Sequence, residues 1–249
     1  MIDRLAALAS GKTKRPSEIQ AEYYTRTAGQ YDHAHVDGGS EHDLALQVLV
    51  ALAKHYSIQS ILDIGSGTGR ALRLLQRDLP GVRSVGIEPV KALRDVGHAS
   101  GISGSVLIDG DACKLDFPAG SFDLVCEFGA LHHIQKPNVA VAEMLRVAKK
   151  AVFISDSNNF GQGRPGVRAV KNLLRSMGLW RLADYVKTRG RGYTLSEGDG
   201  LSYSYSLFDS LPLLERECRP IHLFSPEHGG GLPLWGSPHS GLFALKRQR

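Results

Sequence analysis

The chain has 249 residues, of which 42% are hydrophobic and 22% charged, and this is the composition of an ordinary globular protein. It excludes disordered, collagen-like and coiled-coil chains, and no apolar run approaches the ~18 residues that a membrane-spanning helix requires. Residues 1–16 hold only one short apolar stretch, at 5–9, so no secretory signal is expected and a cytoplasmic location is predicted.

The net charge of +5 comes from the last third of the chain, because 157–249 hold 13 basic and 7 acidic residues. The rest of the chain is nearly balanced. The three cysteines, Cys113, Cys126 and Cys218, are odd in number and lack the spacing of metal ligands. We therefore expect thiols, no disulfide framework and no bound metal.

The first predicted element is a helix that opens at 17–20, where Ser17 and Gln20 have the spacing of a capping box. It carries Tyr23 and Tyr24, and Gly29 is expected to end it. A second helix is predicted at 41–56, because its apolar residues recur at helical spacing on a broad face. We expect this second helix to cover one face of a sheet.

Between 58 and 156, short apolar runs alternate with helical patterns. Strands are predicted at 60–64, 84–88, 105–109, 122–128 and 151–156, and helices at 69–79, 90–100 and 137–149. Strands that alternate with helices form βαβ crossovers, so the strands lie parallel and the helices cover both faces of the sheet. The region 41–156 is therefore predicted to be the core of a doubly wound α/β fold.

Beyond 156 the periodicity weakens. The pattern predicts a helix at 165–187, a segment rich in Gly, Ser and Tyr at 188–206, a long surface loop at 226–241, and closing strands at 220–224 and 242–245. The closing strands bring the mainly parallel sheet to seven strands. Because no internal repeat and no second core are found, we expect a single domain over 1–249, with an insert at 157–218 and sheet closure at 219–249.

The predicted helix at 165–187 lies in a strongly basic part of the chain. The segment 164–191 contains eight cations and a single acid, Asp184. Four of the cations recur at helical spacing beside an apolar stripe and are called the basic stripe here: Arg164, Arg168, Lys171 and Arg175. Three interpretations of this basic stripe stay open: a solvated helix face, a receptor for an anionic group of a substrate, or a peripheral contact with a membrane surface.

A glycine-rich loop follows the first strand of the core. Gly65, Gly67 and Gly69 alternate with other residues and lead into a helix, which lets the backbone approach a ligand closely. A nucleotide-like ligand is expected at this loop. A dinucleotide-binding loop would need glycine at position 70, where the chain has Arg70, and this argues against NAD.

Carboxylates stand at the ends of four predicted strands, namely Asp63, Glu88, Asp111 and Glu127. Glu88 lies 19 residues after Gly69, where a carboxylate can accept both hydrogen bonds of a ribose diol. The four acids converge on one crevice, and their charge suits a cationic ligand better than a pyrophosphate. A nucleoside that carries a sulfonium and an ammonium group meets this description.

Six short segments, taken together, resemble the class I S-adenosylmethionine-dependent methyltransferases of the broad small-molecule group. The segments are 61–69, 86–89, 110–112, 121–125, 130–134 and 143–147, and the resemblance covers about 45–156. It implies a Rossmann-like methyltransferase fold, S-adenosyl-L-methionine as cofactor and S-adenosyl-L-homocysteine as product. It also implies that the N-terminal region, 1–40, forms a lid and that the insert covers the acceptor.

The resemblance implies a set of cofactor contacts. The glycine loop would cradle the methionine and ribose, Glu88 would hold the ribose hydroxyls, and Asp111 would contact the adenine edge. Asp63 and the backbone near Phe128 would hold the methionine end. The full set of implied residues is Asp63, Gly65, Ser66, Gly67, Gly69, Glu88, Pro89, Asp111, Ala112, Glu127 and Phe128, with Tyr24 and Tyr31 from the lid.

Two adjacent histidines follow the fourth strand, on the side of the crevice where a methyl acceptor is expected. Histidine titrates near neutral pH, so His132 or His133 is a candidate base for an acceptor hydroxyl. The alternative is that either imidazole only bridges backbone groups. Methyl transfer from a sulfonium requires alignment of the reacting atoms and no metal.

Polar, basic and aromatic side chains after the fifth strand are candidates for acceptor contacts. Polar residues at 155–159 would orient a hydroxylated acceptor or cap the following turn. The segment 193–205 is either a flap over a sugar or ring, or a plain amphipathic strand. The predicted acceptor-binding residues are Asp156, Asn158, Asn159, Arg164, Arg168, Tyr203 and Tyr205.

The sequence thus predicts a methyltransferase for a small-molecule or carrier-linked acceptor, anionic if the basic stripe contacts it, with oxygen favoured over nitrogen. Two alternatives stay open: an RNA or protein methyltransferase, and a non-catalytic module that only binds the cofactor. The residues at 127–130 replace the Asn-Pro-Pro-Tyr type of motif that is used on amide and adenine nitrogens. No RNA-binding module is recognisable either, so RNA is disfavoured and DNA is not expected.

Overall fold

The computed structural model describes residues 14–32, 41–226 and 236–247. The first half contains α1 Pro16–Thr27, α2 Glu41–His55, β1 Ser60–Ile64, α3 Arg70–Asp78, β2 Arg83–Ile87, α4 Lys91–Ala99, β3 Leu107–Ile108 and β4 Phe122–Phe128. The second half contains α5 Pro137–Val147, β5 Ala148–Ser157, α6 Pro165–Ser176, α7 Trp180–Lys187, β6 Thr194–Ser196, β7 Gly200–Ser202, α8 Leu211–Glu217, β8 Cys218–Phe224 and β9 His239–Lys246.

The main sheet has seven strands in the order β3-β2-β1-β4-β5-β9-β8. The first five strands are parallel, and β9 pairs antiparallel with both β5 and β8. The order reverses between β1 and β4, and at such a point the loops that follow the strands diverge and leave a crevice. The predicted doubly wound, mainly parallel seven-stranded sheet is confirmed.

The core is packed on both faces of the sheet, because neighbouring residues of each central strand point to opposite sides. Ile61 and Phe153 belong to the cluster that packs with α2, whereas Leu62 and Val152 belong to the cluster that packs with α5. These residues are almost fully buried. The sheet is therefore a rigid base for the loops at its carboxyl edge.

Within the three described ranges, no helix is long and apolar enough to cross a lipid bilayer.

Two of the differences from the predicted helices concern α1 and the insert. α1 begins at Pro16, one residue before the predicted Ser17, and Glu18 accepts a hydrogen bond from the Arg15 amide at 2.9 Å. The single helix predicted at 165–187 is two helices, because Gly178 adopts a positive φ of 71° and turns the chain.

The strand boundaries also differ. β3 has only two residues, and β9 begins at His239, inside the predicted loop. The short helix α8 was not predicted. Parts of the predicted lid and of the loop at 226–241 lie outside the described residues.

Candidate active site

The glycine loop follows β1 and packs between the sheet and the N-terminal region. Gly65, Gly67 and Gly69 have φ values of 69°, 56° and 82°, a region that favours glycine. The amides of Gly65 and Ser66 donate to the carbonyl of Ile87 at 2.9 and 3.0 Å, so the loop is tied to β2. A Cβ on Gly67 would lie 3.0 Å from the Tyr31 hydroxyl, so this tyrosine closes over the loop.

Glu88 follows β2 and fixes the loop from below. Its carboxylate accepts hydrogen bonds from the amides of Gly67 at 3.0 Å and Val90 at 2.9 Å. The side chain is 5% exposed, and this burial raises the pKa of the Glu88 carboxyl. The carboxylate thus stands at the crevice in a fixed orientation.

A cavity of about 640 Å³, here called the glycine-loop cavity, opens between the loop, α1 and the ends of β2 and β4. Eight of the predicted cofactor-binding residues line it: Tyr24, Tyr31, Gly65, Glu88, Pro89, Asp111, Ala112 and Phe128. Asp111 is exposed, and its carboxylate accepts a hydrogen bond from the Cys113 amide at 2.8 Å. The strand ends therefore converge as the sequence predicted.

A small cavity of about 90 Å³, here called the junction cavity, lies beside the glycine loop and is lined by Asp63 and Ser66. Asp63 is 2% exposed, and its Oδ2 atom has no hydrogen-bond partner among the described residues. Burial raises the pKa of the Asp63 carboxyl to about 7. A cationic group in the junction cavity would compensate this buried carboxylate.

Three residues of the predicted cofactor set, Gly67, Gly69 and Glu127, line neither the glycine-loop cavity nor the junction cavity. Gly67 contacts Tyr31, and a Cβ on Gly69 would collide with the Ile102 side chain, so both serve the packing of the loop. Glu127 is fully buried, and its Oε2 accepts a hydrogen bond from the Ala130 amide at 2.8 Å. Burial raises the pKa of the Glu127 carboxyl, as does the nearby Asp156.

His132 stands between two carboxylates, immediately after β4. Its Nδ1 lies 2.7 Å from Asp156 Oδ1, and its Nε2 lies 3.2 Å from Asp199 Oδ2. Burial lowers the pKa of His132, but the two carboxylates outweigh burial and raise it to about 10. The His132 ring is therefore protonated at neutral pH while Asp199 contacts it.

Asp156 lies behind His132 and is not among the residues that line the cavities of this site. The carboxylate is fully buried and also accepts hydrogen bonds from the amides of Leu131 at 2.8 Å and His132 at 3.3 Å. Although burial raises the pKa of Asp156, the charge of His132 lowers it further, so the carboxyl is ionised. Asp156 therefore holds His132 in place from a buried position, whereas the sequence predicted it to contact the acceptor.

His133 connects the N-terminal helix to the insert. Its Nδ1 lies 2.6 Å from the carbonyl of Leu201, and its Nε2 lies 3.0 Å from the Tyr24 hydroxyl. Asp199 Oδ1 is 3.3 Å from the same Nε2. The ligand atoms of His132, His133 and Asp199 lie within 4.8 Å of one another, so this trio is also the place where a divalent metal could bind.

A third cavity, of about 430 Å³, lies under the β6–β7 hairpin and is called the flap cavity. Its wall is polar apart from two glycines and consists of His42, Gly129, His132, Ser157, Asn159, Gln162, Lys187, Thr194, Gly198, Asp199, Ser202, Tyr203, Ser204 and His239. Asn159 is 6% exposed, and its Nδ2 has no hydrogen-bond partner among the described residues. A ligand oxygen in this cavity would satisfy that donor.

The β6–β7 hairpin, here called the flap, is clamped by α1. The Tyr23 hydroxyl donates to the carbonyl of Glu197 at 2.7 Å, and Gln20 accepts from the Leu201 amide at 2.5 Å. Gln20 Nε2 also donates to the carbonyl of Asp199 at 3.3 Å. Neither Gln20 nor Asp199 was predicted as a site residue, although Asp199 lies between two glycines of the segment predicted as a flap.

The three cavities meet at the residues that follow β4. Gly129 lines all three, His132 lines the flap and junction cavities, and His133 lines the glycine-loop and junction cavities. Tyr203 lines both large cavities, and its amide donates to the carbonyl of His132 at 2.8 Å. A group that reaches from one large cavity to the other therefore passes the two histidines.

Several predicted acceptor-binding residues lie elsewhere. Asn158 is buried and bonded to Ser206 and the Ser237 carbonyl, and the buried Tyr205 hydroxyl pairs with Ser210 at 2.9 Å. Arg164 and Arg168 line none of the three cavities. Of the predicted acceptor contacts, Asn159 and Tyr203 line the flap cavity.

Comparison with known proteins identifies the central part of the chain. Residues 62–154 match the family model described as a methyltransferase domain. The chain is 29% identical over 130 residues to a phosphatidylethanolamine N-methyltransferase of Cereibacter sphaeroides, an alignment that covers 46% of this chain and 57% of the relative. It is 31% identical over 137 residues to a ubiquinone/menaquinone biosynthesis C-methyltransferase of Pseudomonas paraeruginosa, covering 52% and 53%. The chain thus spans little more than half of these relatives.

Solved structures share the fold over nearly the whole chain. The magnesium protoporphyrin IX methyltransferase of Synechocystis, crystallised with bound S-adenosylhomocysteine, superposes with a TM-score of 0.61 at 12% identity and covers 93% of this chain and 100% of its own. A possible histamine N-methyltransferase of Thermotoga maritima superposes with a TM-score of 0.56 at 16% identity, covering 91% and 99%. At these identities the likeness concerns the fold alone.

Proposed function

We propose that this chain, which contains a class I S-adenosylmethionine-dependent methyltransferase domain, transfers a methyl group to a hydroxyl oxygen of a polar small molecule, free or carrier-linked. The observation that carries the proposal is the junction at Gly129 and His132, where the polar flap cavity meets the glycine-loop cavity. When bound, S-adenosylmethionine supplies the electrophilic methyl group. All other steps depend on side chains of the chain itself.

The residues around the glycine-loop cavity fit this cofactor. Glu88 offers a fixed carboxylate for the two ribose hydroxyls, and Asp111 lines the same cavity and would contact the adenine. The Asp63 oxygen that lacks a partner is buried beside the loop, where the ammonium group of the methionine part would compensate it. A pyrophosphate would meet these carboxylates without a compensating cation, and this disfavours NAD.

We assign His132 as the base. Its Nδ1 is engaged by Asp156, so its Nε2 is the nitrogen that faces the flap cavity. An acceptor hydroxyl that takes the place of Asp199 at this nitrogen would remove one of the two carboxylates that raise the pKa. The imidazole would then release its proton to solvent and could accept the proton of the acceptor hydroxyl, whose oxygen would receive the methyl group.

We assign His133 a positioning role. Both of its nitrogens have partners, the Leu201 carbonyl and the Tyr24 hydroxyl, on the two segments that cover the site. It therefore couples α1 to the flap, and through Asp199 to His132. This assignment separates the two histidines that the sequence left as alternative candidates for the base.

The wall of the flap cavity favours a hydroxylated acceptor such as a sugar or a polyol. Apart from two glycines, every residue that lines it has a polar side chain, and Asn159 provides a buried donor that lacks a partner. Burying an apolar acceptor against such a wall would leave these groups unsatisfied. A hydroxyl also needs a base more than an amine does, because a neutral amine is already nucleophilic.

We place the basic stripe outside the acceptor site, so it does not receive an anionic group of the acceptor. Arg175 pairs with Asp209 at 2.7 Å, and Arg168 donates to the carbonyl of Gly236 at 3.2 Å, so both are engaged outside the flap cavity. Lys187 is the cation that lines this cavity. An anionic group on the acceptor would therefore meet Lys187.

The test is transfer of a labelled methyl group from S-adenosylmethionine into a cell extract separated into metabolite, lipid, RNA and protein fractions. We expect the label in the metabolite fraction, or in the polar part of a lipid-linked acceptor. Label in RNA or protein would overturn the proposal in favour of a macromolecular acceptor. Binding of S-adenosylhomocysteine without label in any fraction would favour a non-catalytic module.

A further inference from the structure

The helices α6 and α7, joined at Gly178, form the most apolar exposed part of the described chain and are called the helical hairpin here. Of the ten large hydrophobic side chains that are exposed among the described residues, eight lie in this region: Val167, Val170, Leu173, Met177, Leu179, Leu182, Tyr185 and Val186. Their exposed fractions run from 41% to 68%, and neither helix has a fully buried residue. An exposed apolar patch of this kind marks a contact surface.

The polar face of α6 is turned toward the protein body, opposite to the usual arrangement of an amphipathic helix. Arg168 donates to the Gly236 carbonyl at 3.2 Å and Lys171 to the Asn159 carbonyl at 2.7 Å. Arg175 pairs with Asp209 and lies 4.2 Å from the centre of the Phe160 ring. The cations thus anchor the helix, and the apolar stripe on its other side faces outward.

Further cations lie in the helical hairpin and next to its two ends. They are exposed, and no ion pair is found for them within the described ranges: Arg164, Arg181, Lys187, Arg189 and Arg191. The one acid of the segment, Asp184, accepts a hydrogen bond from the Ser204 hydroxyl. The helical hairpin and the residues next to it therefore combine exposed apolar side chains with exposed cations.

We propose that the helical hairpin docks on a lipid bilayer that contains anionic lipids, with its apolar side chains at the level of the headgroups and upper acyl chains. The exposed cations complement the negative surface, and the apolar stripe enters the interface. A second copy of the chain fits less well, because a symmetric contact brings the same cations of both copies together. RNA fits less well too, because the exposed side chains are mostly aliphatic.

The position of the hairpin connects it to the flap cavity. Gln162 precedes α6, Lys187 ends α7, and both line that cavity. Docking would therefore bring the cavity to the membrane surface, where the polar headgroup of an amphiphilic acceptor would be within reach. Only this last step rests on the proposed function, and membrane docking does not depend on it.

The test is co-flotation of the purified chain with vesicles, without cofactor or acceptor, so that a failure of the proposed function does not affect it. One set of vesicles is phosphatidylcholine alone, and the other contains about 30% phosphatidylglycerol. The variant is Leu173→Asp with Leu182→Asp, and both leucines are so exposed that the core is unaffected. The matched control is Val139→Asp on α5, a side chain that is 43% exposed and lies outside the hairpin.

We expect binding to the anionic vesicles that falls with salt, and a loss of about tenfold or more in the double variant but not in Val139→Asp. Arg181→Glu with Arg189→Glu should weaken binding to anionic vesicles in the same way. No binding of the wild-type chain, or equal binding by the double aspartate variant, overturns the proposal. A wild-type dimer that the double variant dissociates, without vesicle binding, would instead identify the hairpin as an interface between copies.

Discussion

The glycine-loop cavity and the flap cavity differ in how their walls are assembled. The first is built mainly from consecutive strand ends between β1 and the residues after β4, together with α1. The second combines residues from α2, from the end of β5, from α7 and the flap, and from the start of β9. The sheet fixes the first cavity, whereas the second depends on side-chain hydrogen bonds between segments far apart in the chain. Changes to these bonds should therefore affect acceptor binding more than cofactor binding.

The largest expected effect is at the junction of the two cavities. His132→Asn should lower kcat by about 10²- to 10⁴-fold, because it removes the proposed base. Calorimetric affinity for S-adenosylhomocysteine should change far less than kcat, because His132 lines the junction cavity but not the glycine-loop cavity. If dialysis against a chelator abolishes the wild-type rate and added metal restores it, the His132, His133 and Asp199 trio acts as a metal site rather than through a base.

The next largest effect concerns the fixed carboxylate of the glycine-loop cavity. Glu88→Ala should weaken S-adenosylhomocysteine by about 2–3 kcal/mol, roughly 30- to 150-fold, through the loss of charge-assisted hydrogen bonds to the ribose. Asp109→Ala is the control, because this neighbouring acid is 75% exposed at its side chain. An unchanged dissociation constant in Glu88→Ala, measured by calorimetry, would remove the ribose assignment.

Cofactor affinity should also depend on pH through Asp63. With the pKa raised to about 7 by burial, Asp63 is mainly protonated below that pH and must lose a proton to bind an ammonium group. Affinity should therefore fall as the pH decreases from 7.5 to 6, by up to about tenfold per pH unit below the pKa. Calorimetry in two buffers of different ionisation enthalpy should detect proton release at pH 6, and Asp63→Asn should abolish it. A pH-independent wild type would contradict this role.

A smaller effect is expected at the clamp between α1 and the flap. Gln20→Ala removes the hydrogen bonds that Gln20 makes with the Leu201 amide and the Asp199 carbonyl, and its contact of 3.1 Å with His133 Nδ1. We expect the KM for the acceptor to rise several-fold, roughly 1 kcal/mol, while cofactor affinity changes less. Thr25→Ala, on the exposed face of the same helix, is the control. Equal loss of cofactor and acceptor binding would mean that the two cavities are not separable.

The smallest effect is expected at the basic stripe. Arg175→Ala breaks a half-exposed ion pair with Asp209 and a contact with the Phe160 ring, so stability should fall by about 1 kcal/mol or less. The KM for the acceptor should not change. Lys187→Ala, at the wall of the flap cavity, should raise the KM for an acceptor that carries an anionic group. A higher KM for the acceptor in Arg175→Ala would show that the basic stripe contacts the acceptor.

Sequence patterns predicted the first region better than the second. The strands of the core are short, buried and separated by helices, so periodicity locates them, and the residues that follow them converge because parallel strands end at one edge. Glu88 and Asp111 were found in this way. The two residues of β3 and the split at Gly178 were not found, because they depend on local pairing and on one turn conformation.

The structure of the insert depends on side-chain orientations and long-range contacts that the sequence pattern does not reveal. Asp156 and Tyr205 were predicted to contact the acceptor, yet one orients His132 and the other packs in the core, since a polar side chain after a strand can face either way. Gln20 reaches the flap across 181 residues of chain, and nothing in its neighbourhood signals this. The outward orientation of the apolar face of α6 was not predicted either, because an amphipathic pattern does not show which face of the helix packs against the rest of the protein.

The central claim, that the flap cavity presents a hydroxyl to His132, is tested most directly by the atom that receives the methyl group. The chain is incubated with carbon-13-labelled S-adenosylmethionine and the acceptor recovered from the extract, and the product is analysed by NMR. The account predicts a methyl ether on a polar, hydroxylated molecule, formed by the wild type and lost in His132→Asn. A methyl group bonded to nitrogen or carbon, or one transferred equally well by His132→Asn, would contradict it.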